Sequence, residues 1–402
     1  MNYFIPNWED RLDREFDFIN DKFSPGRLSV ADDVYAHNIF SKSPYDGIIM
    51  SLNIFGDKIK VNGQVDIKGY ENRSIKDYLK TKKQNLKIIC DCGAFSYLLD
   101  KTPPEKYTVE YISRIYDKLK FDFGVSVDHL IWKNLSKKEK EYRRKLSTDN
   151  AVEFIEHWRE KKYNFKPIGS VQGDDINGYK KSLKKLIDAG YDYVGLGTLI
   201  PRSDEFIVEL VKELNPIFKK TNVKVHLFGI LRKDIIEQLK HYGAHSFDSA
   251  SFLRKAWLRS DNNYFGIDQN WYSAIRVPII ESKTTEKKLY DEGLNVDKLK
   301  AEQFDILHQL NDFDKGNEKL IDELIAKIVD YDKTLIRTSE DSGKYEPRYR
   351  EVLESKIWKK CNCEMCKQAG IHIVVFRRTN RNKRRGFHNT WVFYNQILSK
   401  IK

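Results

Sequence analysis

The sequence predicts an α/β protein built on a (β/α)8 TIM barrel, and three observations carry this prediction. Short β-rich runs recur through the middle of the chain, each apolar enough to be buried on both faces, as parallel strands are. Amphipathic helical stretches separate these runs, for example at residues 178–189 and 204–214. No glycine-rich phosphate loop follows the first run, which disfavours an open doubly wound sheet. The predicted strands are residues 47–55, 86–95, 121–130, 165–172, 193–200, 223–231 and 246–252.

Residues with strong boundary preferences place the ends of the two clearest helices. Gly190 closes the first helix, because glycine readily takes the left-handed conformation at a helix end. Ser203 is a suitable N-cap for the second helix. We expect Asn215-Pro216 to stop that helix, because an interior proline removes a backbone hydrogen bond.

Length and composition restrict the class of protein. The chain has 402 residues, of which 40% are hydrophobic and 32% charged, and it contains no apolar run of membrane-spanning length. Residues 1–23 are acidic and lack the apolar core of a secretory signal, so we expect a cytoplasmic location and no membrane partner. Lys and Arg number 71 against 59 Asp and Glu, and the net charge of +12 favours a polyanionic partner.

The cysteines form the strongest chemical signal. Cys361, Cys363 and Cys366 have tight-turn spacing, and His388 follows 22 positions later. Three thiolates and one imidazole complete a tetrahedral structural Zn²⁺ shell with no position left for water. His372 is an alternative fourth ligand, although it lies in an alternating apolar run. The two remaining cysteines, at positions 90 and 92, have poor spacing for a disulfide and are expected to be reduced.

The hydrophobic pattern changes after Pro278 and completes the predicted domain plan. From residue 284 to residue 358 the periodicity is helical and charged, with Leu299, Ile306 and Leu310 along one apolar stripe. We predict an N-terminal extension (1–46), a barrel (47–283), a helical insertion packed on the barrel (284–358) and a C-terminal zinc-binding subdomain with a closing helix (359–402).

Carboxylates at predicted strand ends give the second chemical signal. Asp91, Asp128 and Asp248 each end a different β-rich run, and Gln172 ends a fourth. Catalytic groups of (β/α)8 barrels lie at the C-terminal ends of strands, so these side chains are expected to converge on one pocket for a planar, hydrogen-bonding ligand. Two phenylalanines that follow such strand ends could stack on the two faces of a purine-like base. They are Phe95 and Phe228.

Several motifs of the chain resemble those of the tRNA-guanine transglycosylase superfamily and follow one another in the same order. The matching stretches are DCGAF at 91–95, SVQG at 170–173, VGLG at 194–197, FD at 247–248, and the cysteine cluster with His388-Asn389. The stretch 388–397 resembles the closing helix of that family. The resemblance covers roughly residues 47–275 and 359–400 and implies exchange of guanine in a polynucleotide for a 7-deazaguanine base.

The resemblance also implies roles for individual residues. Asp248 would be the nucleophile that attacks C1′ of the target nucleotide and forms a covalent intermediate. Asp91 would protonate the departing guanine and later deprotonate the incoming base, a division of labour that two carboxylates can perform. The remaining family positions would bind the base. Asp128 and Gln172 would read its edge, the backbone of Leu196 and Gly197 would bind its other polar atoms, and Phe95 and Phe228 would stack on it.

Departures from the tRNA-acting pattern favour a different substrate. The bacterial tRNA enzymes carry a glutamate that receives an aminomethyl group, but the corresponding stretch at 198–202 reads TLIPR. A neutral nitrile, as in 7-cyano-7-deazaguanine, fits better than an unpaired ammonium. In addition, 113 positions separate Asp248 from Cys361, a connection much longer than in the tRNA enzymes, and we expect no archaeal-style RNA-binding domain after the cysteines. These features resemble the DNA-directed branch of the superfamily, which makes DNA the expected partner and a partner ATPase of a modification cluster a further candidate.

A basic run near the C-terminus is the expected contact to nucleic acid. Its six cations fall within nine positions, which favours contact with phosphates, and a solvated charge run without a partner is the alternative. They are Arg377, Arg378, Arg381, Lys383, Arg384 and Arg385. Arg254 lies six positions after Asp248, where the family contacts nucleotides around the target. The target guanine must leave the base stack before its C1′ can be attacked, so a flipped or single-stranded nucleotide is expected.

Three hypotheses for function follow from the sequence. The first is a DNA-guanine transglycosylase, the second a transglycosylase acting on tRNA, and the third a non-catalytic zinc-bearing relative that binds nucleic acid. The presence of both Asp91 and Asp248 disfavours the third. A metal-dependent hydrolase is disfavoured because the strand ends lack the paired histidines of such a site.

Overall fold

A computed structural model describes residues 1–8, 10–29, 31–53, 74–258, 262–317, 321–336 and 345–401. These residues form two compact units. The barrel unit comprises residues 1–9, 45–250 and 401–402, and the second unit comprises residues 10–44 and 251–400.

The barrel unit is a closed barrel of eight parallel strands in sequence order, with the last strand paired to the first. The fold predicted from the alternating pattern is therefore confirmed. The strands are β1 Asn2–Pro6, β2 Gly47–Ser51, β3 Lys87–Asp91, β4 Phe123–Val125, β5 Lys166–Val171, β6 Tyr193–Leu196, β7 Lys224–Leu227 and β8 Ser246–Asp248.

Helices follow most strands of this unit and are amphipathic, with apolar side chains buried on one face. Polar side chains cap several of them, as Ser136 does through a capping box with Glu139. The helices are α1 Ile75–Tyr78, α2 Val109–Lys118, α3 Lys137–Lys161, α4 Ile176–Asp188, α5 Asp204–Thr221 and α6 Ile236–His241.

The first strand lies where the sequence predicted an extension. Residues 47–55, expected to open the barrel, contain β2, although residues 54–55 lie outside the described residues. β1 closes the barrel by pairing Phe4 with Gly47 on one side and with Asp248 on the other. Its pairing with β8 joins segments more than 240 positions apart, which local sequence patterns do not reveal.

Helix α5 also differs from the prediction, because it continues through Pro216 to Thr221. The apolar face explains the continuation, since Leu214 and Phe218 stand one turn apart and both are buried. Asn215 donates its side-chain amide to the carbonyl of Tyr242 at 2.8 Å instead of ending the helix. Packing here outweighs the local preference of proline.

Inward-facing side chains from successive strands fill the barrel. Phe4, Ile49, Ile89, Val125 and Ile168 form one buried cluster with Tyr193. A filled interior leaves the open ends of the strands as the place for chemistry, and the carboxyl ends carry the polar side chains described below.

The second unit contains short strands and many helices. Its strands are β9 Tyr264–Phe265, β10 Trp271–Tyr272, β11 Ile275–Arg276 and β12 Val375–Phe376. Its helices are α7 Ser251–Lys255, α8 Lys283–Asp291, α9 Val296–Asp314, α10 Ile321–Ile336, α11 Glu346–Ser355, α12 Ile357–Lys360, α13 Glu364–Ala369 and α14 Thr379–Phe393, and α14 continues as a π-helix over Tyr394–Leu398. The chain then ends in the short helix α15 Ser399–Ile401.

In the predicted insertion, 284–358, the described residues form helices joined by short turns, and residues 318–320 and 337–344 lie outside the described residues. It shares one compact unit with the cysteine cluster. Asp314 at the end of α9 accepts from the Trp358 indole and from the backbone N–H of Ile371, each at 2.9 Å. The insertion and the C-terminal segment are therefore one packed structure.

Candidate active site and metal centre

Asp91 ends β3 at the carboxyl end of the barrel. Ser51, its register partner on β2, donates a hydroxyl to Asp91 Oδ1 at 2.7 Å, and the N–H of Gly93 reaches the same oxygen at 2.7 Å. Gly93 has φ of +78°, and a Cβ there would lie 2.8 Å from Ser51 Oγ. The sequence thus needs glycine at 93 to turn the chain tightly around the carboxylate.

The electrostatic environment makes Asp91 an unusual carboxyl group. Burial raises its pKa from 3.8 to about 7, and the negative charges of Asp248 and Asp128 add to this rise. The hydrogen bonds from Ser51 and Gly93 oppose the rise, because they stabilise the carboxylate. A group with this pKa gains and loses a proton near neutral pH, as general acid–base catalysis requires.

Asp248 ends β8 and is 8% exposed. Its Oδ1 accepts from the backbone N–H of Gly229 at 2.9 Å, and the Nε2 of His226 lies 3.1 Å from the same oxygen. Both donors come from β7 or the turn after it. A carboxylate held on one oxygen can present the other to an electrophile.

Asp128 and Gln172 form the centre of a buried polar network beside these two carboxylates. Asp128 Oδ2 accepts from Ser170 Oγ at 2.6 Å and from Gln172 Nε2 at 2.5 Å. Thr198 donates its hydroxyl to Gln172 Oε1 at 2.7 Å and so fixes the orientation of the amide. Cys92 contacts Asp128 Oδ1 through its thiol at 3.3 Å. Burial raises the pKa of Cys92, which keeps the thiol protonated as a donor.

The backbone at Leu196 and Gly197 is partly committed to the barrel. The N–H of Gly197 donates to Val171 O at 3.0 Å, and its carbonyl accepts from the Tyr179 hydroxyl at 2.6 Å. The carbonyl of Leu196 accepts from Phe228 N at 3.1 Å. A Cβ at position 197 would lie 2.1 Å from Gln172 Nε2, so glycine is required for the amide to fit. Each of these two carbonyls keeps a second lone pair for a ligand.

The two candidate stacking rings differ in exposure. The Phe95 side chain is 56% exposed and makes an edge contact with Trp132, with ring centroids 6.4 Å apart. Phe228 is half-buried, and its ring packs edge-on against His226 at 4.7 Å. The ring of Phe95 is therefore exposed, whereas the ring of Phe228 is partly packed at the carboxyl end of the barrel.

The predicted metal ligands come together in the second unit. Cys361, Cys363, Cys366 and His388 are buried, and their ligand atoms lie within 4.8 Å of one another. His388 Nδ1 lies 3.6, 3.4 and 3.2 Å from the three sulfurs. A tetrahedral zinc ion with ordinary bond lengths sets sulfur-to-nitrogen edges of about 3.5 Å. The cluster therefore has the ligands and spacing that a Zn²⁺ ion requires.

Surrounding groups orient this cluster. His388 Nε2 bonds the carbonyl of Phe265 at 2.9 Å, which leaves Nδ1 for a metal. Tyr264 stacks on the imidazole with ring centroids 4.2 Å apart. Asn389 accepts from the N–H of Phe265 at 2.8 Å and so ties the helix to β9. These contacts fix the imidazole independently of a bound ion.

His372, the alternative ligand, lies outside the cluster. Its ring stacks on Phe18 at 5.6 Å, and burial lowers its pKa to about 3. A neutral, stacked imidazole is a packing element of the second unit. The fourth candidate ligand of the cysteine cluster is therefore His388 and not His372.

The basic run requires a correction. Four of its arginines are 0–3% exposed, and their guanidinium groups bond within the second unit. Arg384 donates to Asn380 and to the carbonyl of Asp13, each at 2.9 Å, and Arg385 donates to Ala256 O at 2.7 Å. Groups bonded in this way are not available to phosphates, which excludes the predicted role for these four. They are Arg377, Arg381, Arg384 and Arg385.

One carboxylate accounts for much of this burial. Arg377, Arg378 and Arg381 all bond Asp21, with Arg377 Nε at 2.9 Å from Oδ2. Burial alone would raise the pKa of Asp21, but the charges of Arg381 and Arg377 hold it below its usual value. The remaining members of the run are half-buried and also have partners, since Arg378 bonds Glu281 and Lys383 donates to Arg11 O at 2.9 Å. Much of the basic run thus serves to hold the second unit together.

Arg254 differs from the run, because it is exposed on α7. Sequence reasoning missed four side chains that support the candidate active site, namely Ser51, Thr198, His226 and Ser246. Ser51 ends β2, and Thr198 lies two residues after the end of β6, so a polar residue near the carboxyl end of a strand is the signal that could have found them.

The fold and site define a class of protein. The described residues form a closed (β/α)8 barrel with aspartates at or just after the ends of three strands, and a Cys3His cluster, as the resemblance to the guanine transglycosylases implies. No protein-family profile matches the chain. It is 29% identical over 411 residues, covering 99% of this chain and 96% of its relative, to a DNA-guanine transglycosylase of Salmonella montevideo. This similarity supports the tRNA-guanine transglycosylase superfamily and its DNA-directed branch, which the sequence motifs resemble.

In the described part of the chain, no helix is both long and apolar enough to cross a bilayer.

Proposed function

We propose that this protein exchanges guanine in DNA for a 7-deazaguanine base, with 7-cyano-7-deazaguanine as the incoming base. The observation that carries the proposal is the pair of carboxylates at the barrel mouth, in which Asp91 has a pKa of about 7 and Asp248 is held on one oxygen. The nearly full-length similarity to a DNA-guanine transglycosylase supports DNA as the polymer.

In the first half-reaction, Asp248 attacks C1′ of the target nucleotide. Among the residues that the structure describes, both hydrogen-bond donors reach Oδ1, so Oδ2 is the oxygen that forms the new bond. The C1′–N bond breaks, its electron pair leaves with guanine, and Asp91 supplies a proton to the departing base. The product is an ester between Asp248 and the sugar, with Asp91 ionised.

The second half-reaction reverses these roles. Ionised Asp91 removes a proton from the ring nitrogen of the incoming base, and that nitrogen attacks C1′. The ester bond breaks, and its electron pair returns to the Asp248 carboxylate. A carboxyl group with a pKa near 7 serves both steps, because neither protonation state is scarce at neutral pH.

The buried polar network supports recognition of a guanine-like edge. Asp128 is an acceptor held by Ser170 and Gln172, and it faces donors such as the amino and ring N–H groups of guanine. Around position 7 of the base, the stretch 198–202 offers Thr198, Leu199 and Ile200 in place of a carboxylate. Leu199 is fully buried, so an ammonium there would lose water without gaining a partner. A nitrile avoids this cost.

The metal has a structural role in this proposal. When bound, Zn²⁺ supplies a fourfold cross-link among Cys361, Cys363, Cys366 and His388, and these four ligands leave no position for a substrate. Arg254, exposed on the first helix after Asp248, is the proposed contact to phosphates beside the target.

A base-exchange assay tests the proposal. Purified protein is incubated with labelled guanine and either DNA or tRNA, and label incorporated into each polymer is counted. Label in DNA is expected; label in tRNA alone would assign the protein to the second substrate, and label in neither would refute base exchange. A denaturing gel should show a covalent protein–DNA adduct that Asp248→Asn abolishes. Asp192→Asn, which changes an exposed aspartate just before β6, is the matched control.

A further inference from the structure

A chain of three hydrogen bonds runs away from Asp248 through the barrel interior. His226 Nε2 lies 3.1 Å from Asp248 Oδ1, and His226 Nδ1 lies 2.8 Å from Ser246 Oγ. Ser246 Oγ lies 2.5 Å from the Tyr193 hydroxyl. His226 and Ser246 are both 0% exposed, so water does not compete for these contacts.

Asp248 stands at the end of this series of hydrogen bonds and determines which partner donates in each of them. An ionised Asp248 is an acceptor only, so His226 Nε2 must carry a proton and donate it. In the neutral imidazole Nδ1 is then an acceptor, which requires Ser246 to donate its hydroxyl. Ser246 in turn accepts from the Tyr193 hydroxyl. Tyr193, Ser246 and His226 therefore each donate one hydrogen bond in the direction of Asp248. Each of the three hydrogen bonds then has one donor and one acceptor.

The barrel holds the imidazole firmly in this orientation. His226 on β7 pairs directly with Ser246 on β8 and with Gly195 on β6. Its ring makes edge contacts with Phe4 at 5.8 Å and with Phe228 at 4.7 Å. A ring packed against two aromatic rings and bonded at both nitrogens can orient a carboxylate without moving during turnover.

We propose that His226 is a positioning residue for Asp248, fixed in its Nε2–H tautomer by Ser246 and Tyr193. This inference rests on the proposed function. His226 and the N–H of Gly229 hold Oδ1, so that Oδ2 points toward C1′ and the same two donors contact the ester carbonyl in the intermediate. They bind the free carboxylate more strongly than the ester, because hydrogen bonds to an ionised acceptor are stronger.

This difference predicts an effect on one particular step. In the breakdown of the intermediate, negative charge returns to Asp248 in the transition state, where the Nε2–H donor stabilises it more than in the ester. Loss of the donor should therefore slow release of the intermediate more than its formation. A residue that only packs the barrel core would change the stability of the fold and leave the ratio of the two rates unchanged.

The test follows one turnover in two stages with full-length protein. The covalent adduct is formed on a guanine-containing DNA oligonucleotide, its formation rate is measured, and labelled guanine is then added to measure adduct release. His226→Phe keeps the ring and removes both nitrogens, whereas His226→Gln restores a side-chain N–H donor. We expect His226→Phe to slow release relative to formation by roughly tenfold, the difference between a charged and a neutral acceptor. His226→Gln should recover most of this loss.

Two tyrosines provide a matched pair for the far end of the chain. Tyr193→Phe removes the hydroxyl from which Ser246 accepts a hydrogen bond. Tyr191→Phe removes a buried hydroxyl that donates to Ala151 O at 2.6 Å and takes no part in the hydrogen bonds leading to Asp248. Ser246→Ala and Tyr193→Phe should shift the rate ratio in the same direction as His226→Phe, and Tyr191→Phe should not. ¹⁵N NMR of labelled histidine should show an Nε2–H imidazole in wild type and a mixture of tautomers in Ser246→Ala.

The outcomes separate the two levels of inference. Absence of an adduct with wild-type protein would refute the proposed function and, with it, the role of the histidine. If wild type forms the adduct but His226→Phe releases it at the wild-type ratio, the positioning role is wrong and the proposed function stands. An Nδ1–H tautomer in wild type would likewise overturn the direction of the chain.

Discussion

Ser51 lies opposite Asp91 in the register of β2 and β3 and donates its hydroxyl to Asp91 Oδ1 at 2.7 Å. This hydrogen bond stabilises the carboxylate, whereas burial favours the neutral acid. The effect of burial is larger, so the pKa of Asp91 is raised to about 7. The balance between burial with the charges of Asp248 and Asp128 on one side, and the hydrogen bonds from Ser51 and Gly93 on the other, therefore decides at which pH Asp91 gives up its proton. It also makes the acid–base role open to a direct test.

We expect the two half-reactions to depend on pH in opposite directions. Adduct formation needs protonated Asp91 and should fall about tenfold per pH unit above pH 7, whereas release by the incoming base should fall below that pH. Ser51→Ala removes a contact that lowers the pKa, so both profiles should move to higher pH. Rates of the two steps measured between pH 5 and 9 check this. Coincident profiles for wild type and Ser51→Ala would contradict the role of Ser51.

The same pKa predicts a dependence of stability on pH. The folded protein binds the Asp91 proton more tightly than the unfolded chain, whose aspartate has its usual pKa of 3.8. The contribution of this proton to folding is full below about pH 4 and is lost as the pH rises through about 7. Asp91→Asn removes the cost of a buried charge, so the variant should gain stability relative to wild type at pH 8 but not at pH 4. Urea unfolding at both pH values measures this. An equal difference at the two pH values would contradict the raised pKa.

Metal content gives a third prediction. We expect one Zn²⁺ per chain, and Cys363→Ser should lower both zinc content and solubility, because structural zinc contributes directly to folding. Cys90→Ser is the control, since Cys90 is also buried but belongs to the barrel unit. Elemental analysis of purified protein makes the measurement. Full zinc content in Cys363→Ser would exclude that residue as a ligand.

Much of the fold was predictable because its signals are local. The runs that contain β2 to β8 are apolar enough to be seen one at a time, and the cysteine spacing alone indicates a metal cluster. β1 was assigned to an extension because its pairing with β8 depends on residues at the other end of the barrel. His226 was missed because it lies in an apolar strand, and its partners Ser246 and Asp248 are 20 and 22 positions away.

The basic run shows how charge patterning can mislead. Six cations in nine positions are typical of a phosphate-binding surface, but the sequence does not say whether a guanidinium group is buried. The partner that decides this, Asp21, lies 356 positions before Arg377. This carboxylate pairs with three of the six cations, and the other three bond backbone carbonyls, so the predicted surface is part of a packed core.

The contrast between Arg381 and Arg254 provides the last prediction. Arg381 is fully buried against Asp21, and Arg381→Ala leaves that carboxylate with fewer partners, so we expect a loss of stability of about 3 kcal/mol, as for other broken buried pairs. DNA affinity of the folded fraction should be unchanged.

Arg254 is exposed, and Arg254→Ala should instead leave stability unchanged, weaken DNA binding across sequences alike, and reduce the salt dependence by about one slope unit. Lys219→Ala, an exposed cation near the end of α5 and away from the strand carboxyl ends, is the control for general charge. Unfolding curves and DNA binding at several salt concentrations measure both effects. Equal salt slopes for wild type and Arg254→Ala would remove Arg254 from the DNA contact, because a phosphate contact must release counterions when it forms.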